Sequence, residues 1–191
     1  MDDIENADSF TFDAHKLLGT GLITSFFLAK KDGVLKAANS GGGSQYIFHD
    51  YENSEFDLGP KSLQCGRKVD SLKFWLTWKS RGHTGLETLI DEQYEKQIYF
   101  TNLIKEHPRF KLIQEPEYLN VCFQVLPEDQ DVDVNKYNLD LRFKLVQSGK
   151  LMTNFSSFSD GTVFFRHIFA NHETTKADLV QLIELILSNS I

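Results

Sequence analysis

The sequence predicts a folded α/β chain that closes in a small α+β lobe. Three observations carry this: a near-average globular composition, short apolar runs at strand length in both halves, and long helical stripes between and after them. Of 191 residues, 41% are hydrophobic and 25% charged, which excludes a disordered tail, a coiled-coil rod or a collagenous repeat. A chain of this size buries enough apolar surface to fold without disulfide staples.

The elements follow in order. Alternation in DSFTFD (Asp8 to Asp13) reads as a short strand, and LITSFFLA (Leu22 to Ala29) as a second, largely buried one, with AHKLLGTG connecting them. GVLKAAN suits a short helix. Three consecutive glycines in SGGGS (Ser40 to Ser44) then predict a mobile connection running to Pro60, long enough to suggest a lid. Arg67 to Gly82 reads as a helix that is apolar nearly all round from Val69 to Trp78, and hence buried on more than one side. A second helix opens with the capping pair Thr84 and Glu87 and runs to His107 and Pro108. Beyond it, FKLIQEP, YLNVCFQVL, LMTNFSSF and TVFFRHIFA read as strands, with helices from Val134 to Gly149 and across TTKADLVQLIELIL. The acidic run Glu128 to Asp133 reads as a solvated loop leading into a helix N-terminus, where negative charge is favourable. The organisation expected is therefore 1–82 as one part, 83–107 as a connecting helix, and 108–191 as a small α+β domain.

Charge and targeting signals narrow the class. The net charge of -7 opposes a broad nucleic-acid surface, which needs clustered Lys and Arg. The most apolar stretch, Gly19 to Ala29, is too short for a bilayer span, and the acidic start MDDIENADS is unlike a signal peptide. Cys65 and Cys122 stand alone, without metal-ligand spacing, which fits free thiols in a reducing cytoplasm. The six histidines also lack ligand spacing, so no metal is expected.

The first candidate for chemistry is Lys16, which follows His15 between two strands. An amine withdrawn from water can form a Schiff base with an aldehyde cofactor or a carbonyl substrate. Taken alone, the pair is equally a surface feature. Likewise Tyr46 could anchor a loop, and Arg166 could belong to a structural ion pair within its apolar strand.

The ordered blocks DSFTFDAHKLLG, SQYIFHD, KSLQCGRKVDSLKFWLTWKSRGHTGLE, EPEYLNVCFQVLP and VFFRHIFAN resemble the group II pyridoxal-phosphate-dependent decarboxylases. The likeness runs over about residues 7 to 187 and is strongest to the branch acting on glutamate, cysteine sulfinate and aspartate. It implies the aspartate aminotransferase-like fold, known as fold type I, with 1–82 as the end of a large cofactor-binding domain. It further implies pyridoxal 5'-phosphate as cofactor, with Lys16 as the lysine that holds it and His15 against its phosphate. The family motif often reads Asn-Pro-His-Lys where this chain has Asp13 and Ala14. Tyr46 matches the tyrosine of the mobile catalytic loop that returns a proton to the substrate carbon. Arg166 matches the arginine that binds a carboxylate of the acidic substrate, a task suited to its two-pronged donor geometry.

Fold alone admits another pyridoxal-phosphate class, such as an aminotransferase or a carbon–sulfur lyase. Family subunits are longer, and Lys16 lies fifteen residues from the first residue here. The family's phosphate-cradling turn, its ring-stacking histidine and its pyridine-pairing aspartate all precede that lysine. The expectation is thus a C-terminal fragment, weak or inactive alone, that forms a homodimer or pairs with a full-length subunit. The alternative is a non-catalytic truncated relic that pairs with full-length subunits. Uncovered strand faces would favour self-association.

Overall fold

The structure, a computed structural model, describes residues 3–39, 49, 51–62, 64 and 66–190. It divides into two compact units, Met1–Gly82 and His83–Ile191. The division falls inside a helical run, α2 (Asp70–Glu106), at Gly82, where φ is 67° and ψ is -176°. Only glycine takes that backbone conformation without a Cβ penalty, so the two expected helices are the two arms of α2 on either side of it.

In the first unit β1 (Ser9–Asp13) pairs antiparallel with β2 (Ser25–Ala29), Phe12 opposite Phe26 and Asp13 opposite Ser25. The Phe12 and Phe26 rings stack at 4.9 Å. Phe26 then meets Phe74 of α2 edge-on at 4.7 Å, and Phe74 lies 5.8 Å from Trp78. This aromatic ladder fastens the hairpin to the first arm of α2. Lys73 adds a second tie, its Nζ donating to the Leu22 carbonyl and to Asp70, each at 2.7 Å.

The short helix α1 (Val34–Asn39) ends at an asparagine whose amide donates to the carbonyls of Pro60 and Ser62. The first arm of α2 departs from expectation. Val69, Leu72, Trp75 and Leu76 are all exposed, because the aromatic ladder covers only the side bearing Phe74. Leu22 and Ile23, at the start of the second expected strand, are exposed too, and β2 begins only at Ser25.

The second unit is built on a four-stranded antiparallel sheet. Its strands are β3 (Phe110–Leu112), β4 (Asn120–Val125), β5 (Asn154–Ser157) and β6 (Val163–Ile168), in the order β3-β4-β6-β5. Helices α3 (Val134–Gln147) and α4 (Lys176–Asn189) complete it. One face of the sheet is aromatic. Phe123 of β4 stacks on Phe165 of β6 at 5.6 Å and meets Phe110 at 5.6 Å and Phe100 of α2 at 5.8 Å. The Asn138 side chain of α3, fully buried, caps the end of β4 by accepting from the Val125 N–H and donating to its carbonyl.

Both helices start as their sequences dictate. Thr175 and Asp178 form a reciprocal capping box at α4. Asp133 caps α3 by accepting from the backbone N–H groups of Asn135 and Lys136. Asp133→Ala is therefore expected to destabilise α3 by about 1 kcal/mol. Amide hydrogen exchange in its first turn should quicken about fivefold. An unchanged rate would show that the cap carries no weight. Among the described residues no helix is long and apolar enough to cross a membrane.

Candidate functional site

In the first unit, the connection between β1 and β2 holds the two motif residues on a turn closed by backbone hydrogen bonds. Lys16 N–H donates to Asp13, Gly19 N–H to Lys16 and Thr20 N–H to Ala14, while His15 N–H reaches across to the Thr24 carbonyl. Ala14 is wholly buried, and Thr20 and Thr24 nearly so, so the turn is a packed feature rather than a loose tip. A small residue at position 14 follows from that packing.

His15 directs Nδ1 to the Thr24 carbonyl oxygen at 2.9 Å. The Thr24 hydroxyl donates to the Gly21 carbonyl at 2.7 Å, which fixes the far side of the turn. Thr20 is different. Its hydroxyl is buried and has no hydrogen-bond partner among the described residues.

Lys16 is 69% exposed rather than withdrawn from water as the sequence reading supposes, and its Nζ sits 2.7 Å from Asp13 Oδ2. Asp13 also accepts from the Ser25 hydroxyl at 2.5 Å. The Lys16 ammonium, followed by that hydroxyl, holds the Asp13 carboxyl below the usual carboxylate range. Asp13 is thus a stable anion against which the lysine amine rests. A primary amine on a fixed turn, with an imidazole beside it and an orphaned hydroxyl four residues on, is a donor set that fits an aldehyde cofactor bearing an anionic group.

Arg166 belongs to the second unit, on β6, with Cys122 of β4 opposite it on one side and Asn154 of β5 on the other. Alternation along the strands puts all three on the face opposite Phe123 and Phe165. Arg166 Nε is buried and has no acceptor among the described residues. No carboxylate side chain lies on β4, β5 or β6 to pair with it. The structural ion pair weighed above is therefore absent among the described residues, and the guanidinium is left with donors to offer. Burial pushes the Cys122 thiol up, opposed by the Arg166 charge and by the thiol's donation to the Asn120 side-chain Oδ1.

Tyr46 and Cys65 lie outside the described residues. Among the described residues no cluster of His, Cys, Asp and Glu is placed to hold a metal ion. Sequence reasoning named Lys16, His15 and Arg166 but missed the row in which Arg166 stands. Register across three strands cannot be read from one strand's pattern.

Comparison with known proteins gives the context. Residues 1–126 match the family model of the pyridoxal-dependent decarboxylase conserved domain. Over 190 residues the chain is 34% identical to cysteine sulfinic acid decarboxylase of Rattus norvegicus and 34% identical to that of Homo sapiens, over 94% of this chain and 38% of each relative. The crystal structure of mouse CSAD superposes with a TM-score of 0.85 at 32% identity, covering 100% of this chain and 41% of that one. Tryptophan decarboxylase of Catharanthus roseus, in complex with L-tryptophan, gives a TM-score of 0.83 over 99% of this chain and 38% of that one. At 22% identity it speaks for the fold alone. The chain spans about two fifths of the length of the relatives it matches.

Proposed function

The chain belongs to the pyridoxal-dependent decarboxylase family, and from that premise we propose that it works as part of a longer or complemented subunit that decarboxylates an acidic amino acid. The candidate substrates are cysteine sulfinate, glutamate and aspartate. Its likeness to the cysteine sulfinic acid decarboxylases supports the first of these. The observation that carries the reading is the packed His15-Lys16 turn, which presents a primary amine on a fixed backbone inside the matched region.

Lys16 would hold pyridoxal phosphate through its amine, with His15 beside the phosphate. When bound, the cofactor supplies an electron sink for the pair released as the substrate's α-carboxylate leaves as carbon dioxide. Lys16 Nζ must first leave Asp13 and lose its proton, because only the neutral amine is nucleophilic. Asp13, held as an anion, steadies the ammonium while the amine waits, so leaving Asp13 and giving up the proton go together. Arg166 offers its unpaired Nε and its fork to the acidic group of the substrate. Tyr46, a phenol with an ordinary pKa of about 10, would be protonated at neutral pH and able to give a proton to the substrate carbon. The assembly proposed is a homodimer or a pairing with a full-length subunit, in the cytoplasm.

The test is chemical. Pyridoxal phosphate is added to the full chain, trapped with borohydride, and the labelled peptide mapped by mass spectrometry beside Lys16→Ala. Stoichiometric label on Lys16, lost in the variant, is the expected result. Label scattered over several lysines and unchanged in the variant would overturn the proposal for this chain and leave the non-catalytic relic.

A further inference from the structure

Arg166 does not stand alone on its face of the sheet. In the second unit Cys122, Arg166 and Asn154 occupy one row across three adjacent strands, Cys122 opposite Arg166 and Arg166 opposite Asn154. Directly opposed residues in an antiparallel pair carry their Cβ atoms within about 5 Å of each other on the same side. Asn154 therefore shares with the guanidinium whatever approaches that face.

The three positions differ in what they can offer. Cys122 is buried and turns its thiol toward Asn120. Asn154 is exposed on the edge strand, and its side-chain amide makes no hydrogen bond among the described residues. β4, β5 and β6 carry no acidic side chain, so nothing on these strands competes for the Arg166 donors. The neighbouring row holds Phe164, buried, opposite Ser156. The result is a donor pair beside an apolar ring, with Arg166 Nε already withdrawn from water.

We propose that Asn154 is a specificity-determining residue, its side-chain amide donating to the same oxyanion that Arg166 holds. The ligand class is a small organic oxyanion, a carboxylate or sulfinate, carried on a substrate side chain. This rests on the reading of Arg166 as the anion-binding residue. It adds to that reading a second donor from the neighbouring strand. A planar guanidinium satisfies two oxygens in its own plane, and an amide from the adjacent strand reaches an oxygen lone pair outside it.

The experiment uses the full chain labelled with 15N and titrates it with sodium methanesulfinate, with sodium chloride at equal ionic strength as control. The Arg166 Nε–H signal is assigned by its loss in Arg166→Lys, and the Asn154 amide pair by its loss in Asn154→Ala. The expected result is that both signals move with one midpoint and that chloride moves neither. Asn154→Ala should then weaken binding about fivefold, the scale of one hydrogen bond. Asn154→Asp should weaken it further, because a carboxylate opposite Arg166 competes for its donors. A purely structural Asn154 would not separate the two variants. If Arg166 responds while Asn154 does not, and both variants bind as the parent does, the proposal falls and the reading of Arg166 stands. If Arg166 itself does not respond, or chloride reproduces the shift, both fall. Unchanged backbone signals from β4 and β6 in each variant establish that the sheet is intact.

Discussion

Phe123→Ala is expected to destabilise the second unit by about 4 kcal/mol, the cost of removing a fully buried aromatic ring and leaving its space unfilled. Phe123 is the hub of the core. It stacks on Phe165 and meets Phe100 and Phe110 edge-on, so three rings lose a partner together. Two of these contacts reach other strands and one reaches the second arm of α2, which leaves no single element free to close the gap. Both tryptophans, Trp75 and Trp78, lie in the first unit, so fluorescence would report on the wrong part. Amide exchange of peptides from β4 and β6, read by mass spectrometry, reports on the right one. A loss of about 4 kcal/mol corresponds to exchange roughly a thousandfold faster where global opening controls it. Phe143→Ala, at a ring that is 58% exposed on α3, is the control and should change stability by less than about 0.5 kcal/mol. If the two variants behave alike, the sheet face is not the core.

Apolar runs placed β4 and β6, and the spacing of Leu179, Leu182, Ile183 and Ile186 placed α4, because each pattern faces a single core. Gly82 reads as a helix end, and it is where the two arms of α2 separate. The first arm is more exposed than its apolar sequence predicts. Leu72, Trp75 and Leu76 have the apolar character of buried residues, and composition does not say whether the surface that would cover them lies within these 191 residues.

The expected capping pair Thr84 and Glu87 makes no side-chain hydrogen bond among the described residues, since the second arm is entered from the first at Gly82 rather than through an extended cap. Lys16 stands out in the sequence only as a lysine after His15 between two strands, and its proposed role, like that of Arg166, comes from family resemblance rather than periodicity, because one amine or one guanidinium leaves no pattern. The Asn138 bond to the end of β4 and the row around Arg166 depend on strand register and on contacts distant in sequence. No local window contains either.

Acid should destabilise the second unit through His167, and the window follows from its surroundings. The ring lies on β6, with Phe100 5.1 Å away and Phe169 4.7 Å away, opposite the fully buried Val121. Burial penalises the imidazolium and lowers its pKa from 6.5 to about 4. The sign is fixed by proton binding. Between those two values the unfolded chain holds a proton that the folded one refuses, so stability is complete above 6.5 and drains away as the pH falls toward 4. At pH 4.5 the loss amounts to about 2.5 kcal/mol relative to pH 7.

Carboxylates separate from this window. Asp160 and Asp178 accept backbone hydrogen bonds from Thr162 and Thr175 that hold them below 3.8, so their contributions disappear only at lower pH. His167→Phe keeps a ring between Phe100 and Phe169 and removes the titration. Urea unfolding followed by far-UV circular dichroism and by exchange of β6 peptides, at pH 7 and at pH 4.5, should show the parent losing most of that 2.5 kcal/mol and the variant losing little. Equal losses in both proteins would mean that the acid sensitivity lies elsewhere. A variant unstable at both pH values would mean that the imidazole is held by a polar contact rather than tolerated as a neutral ring.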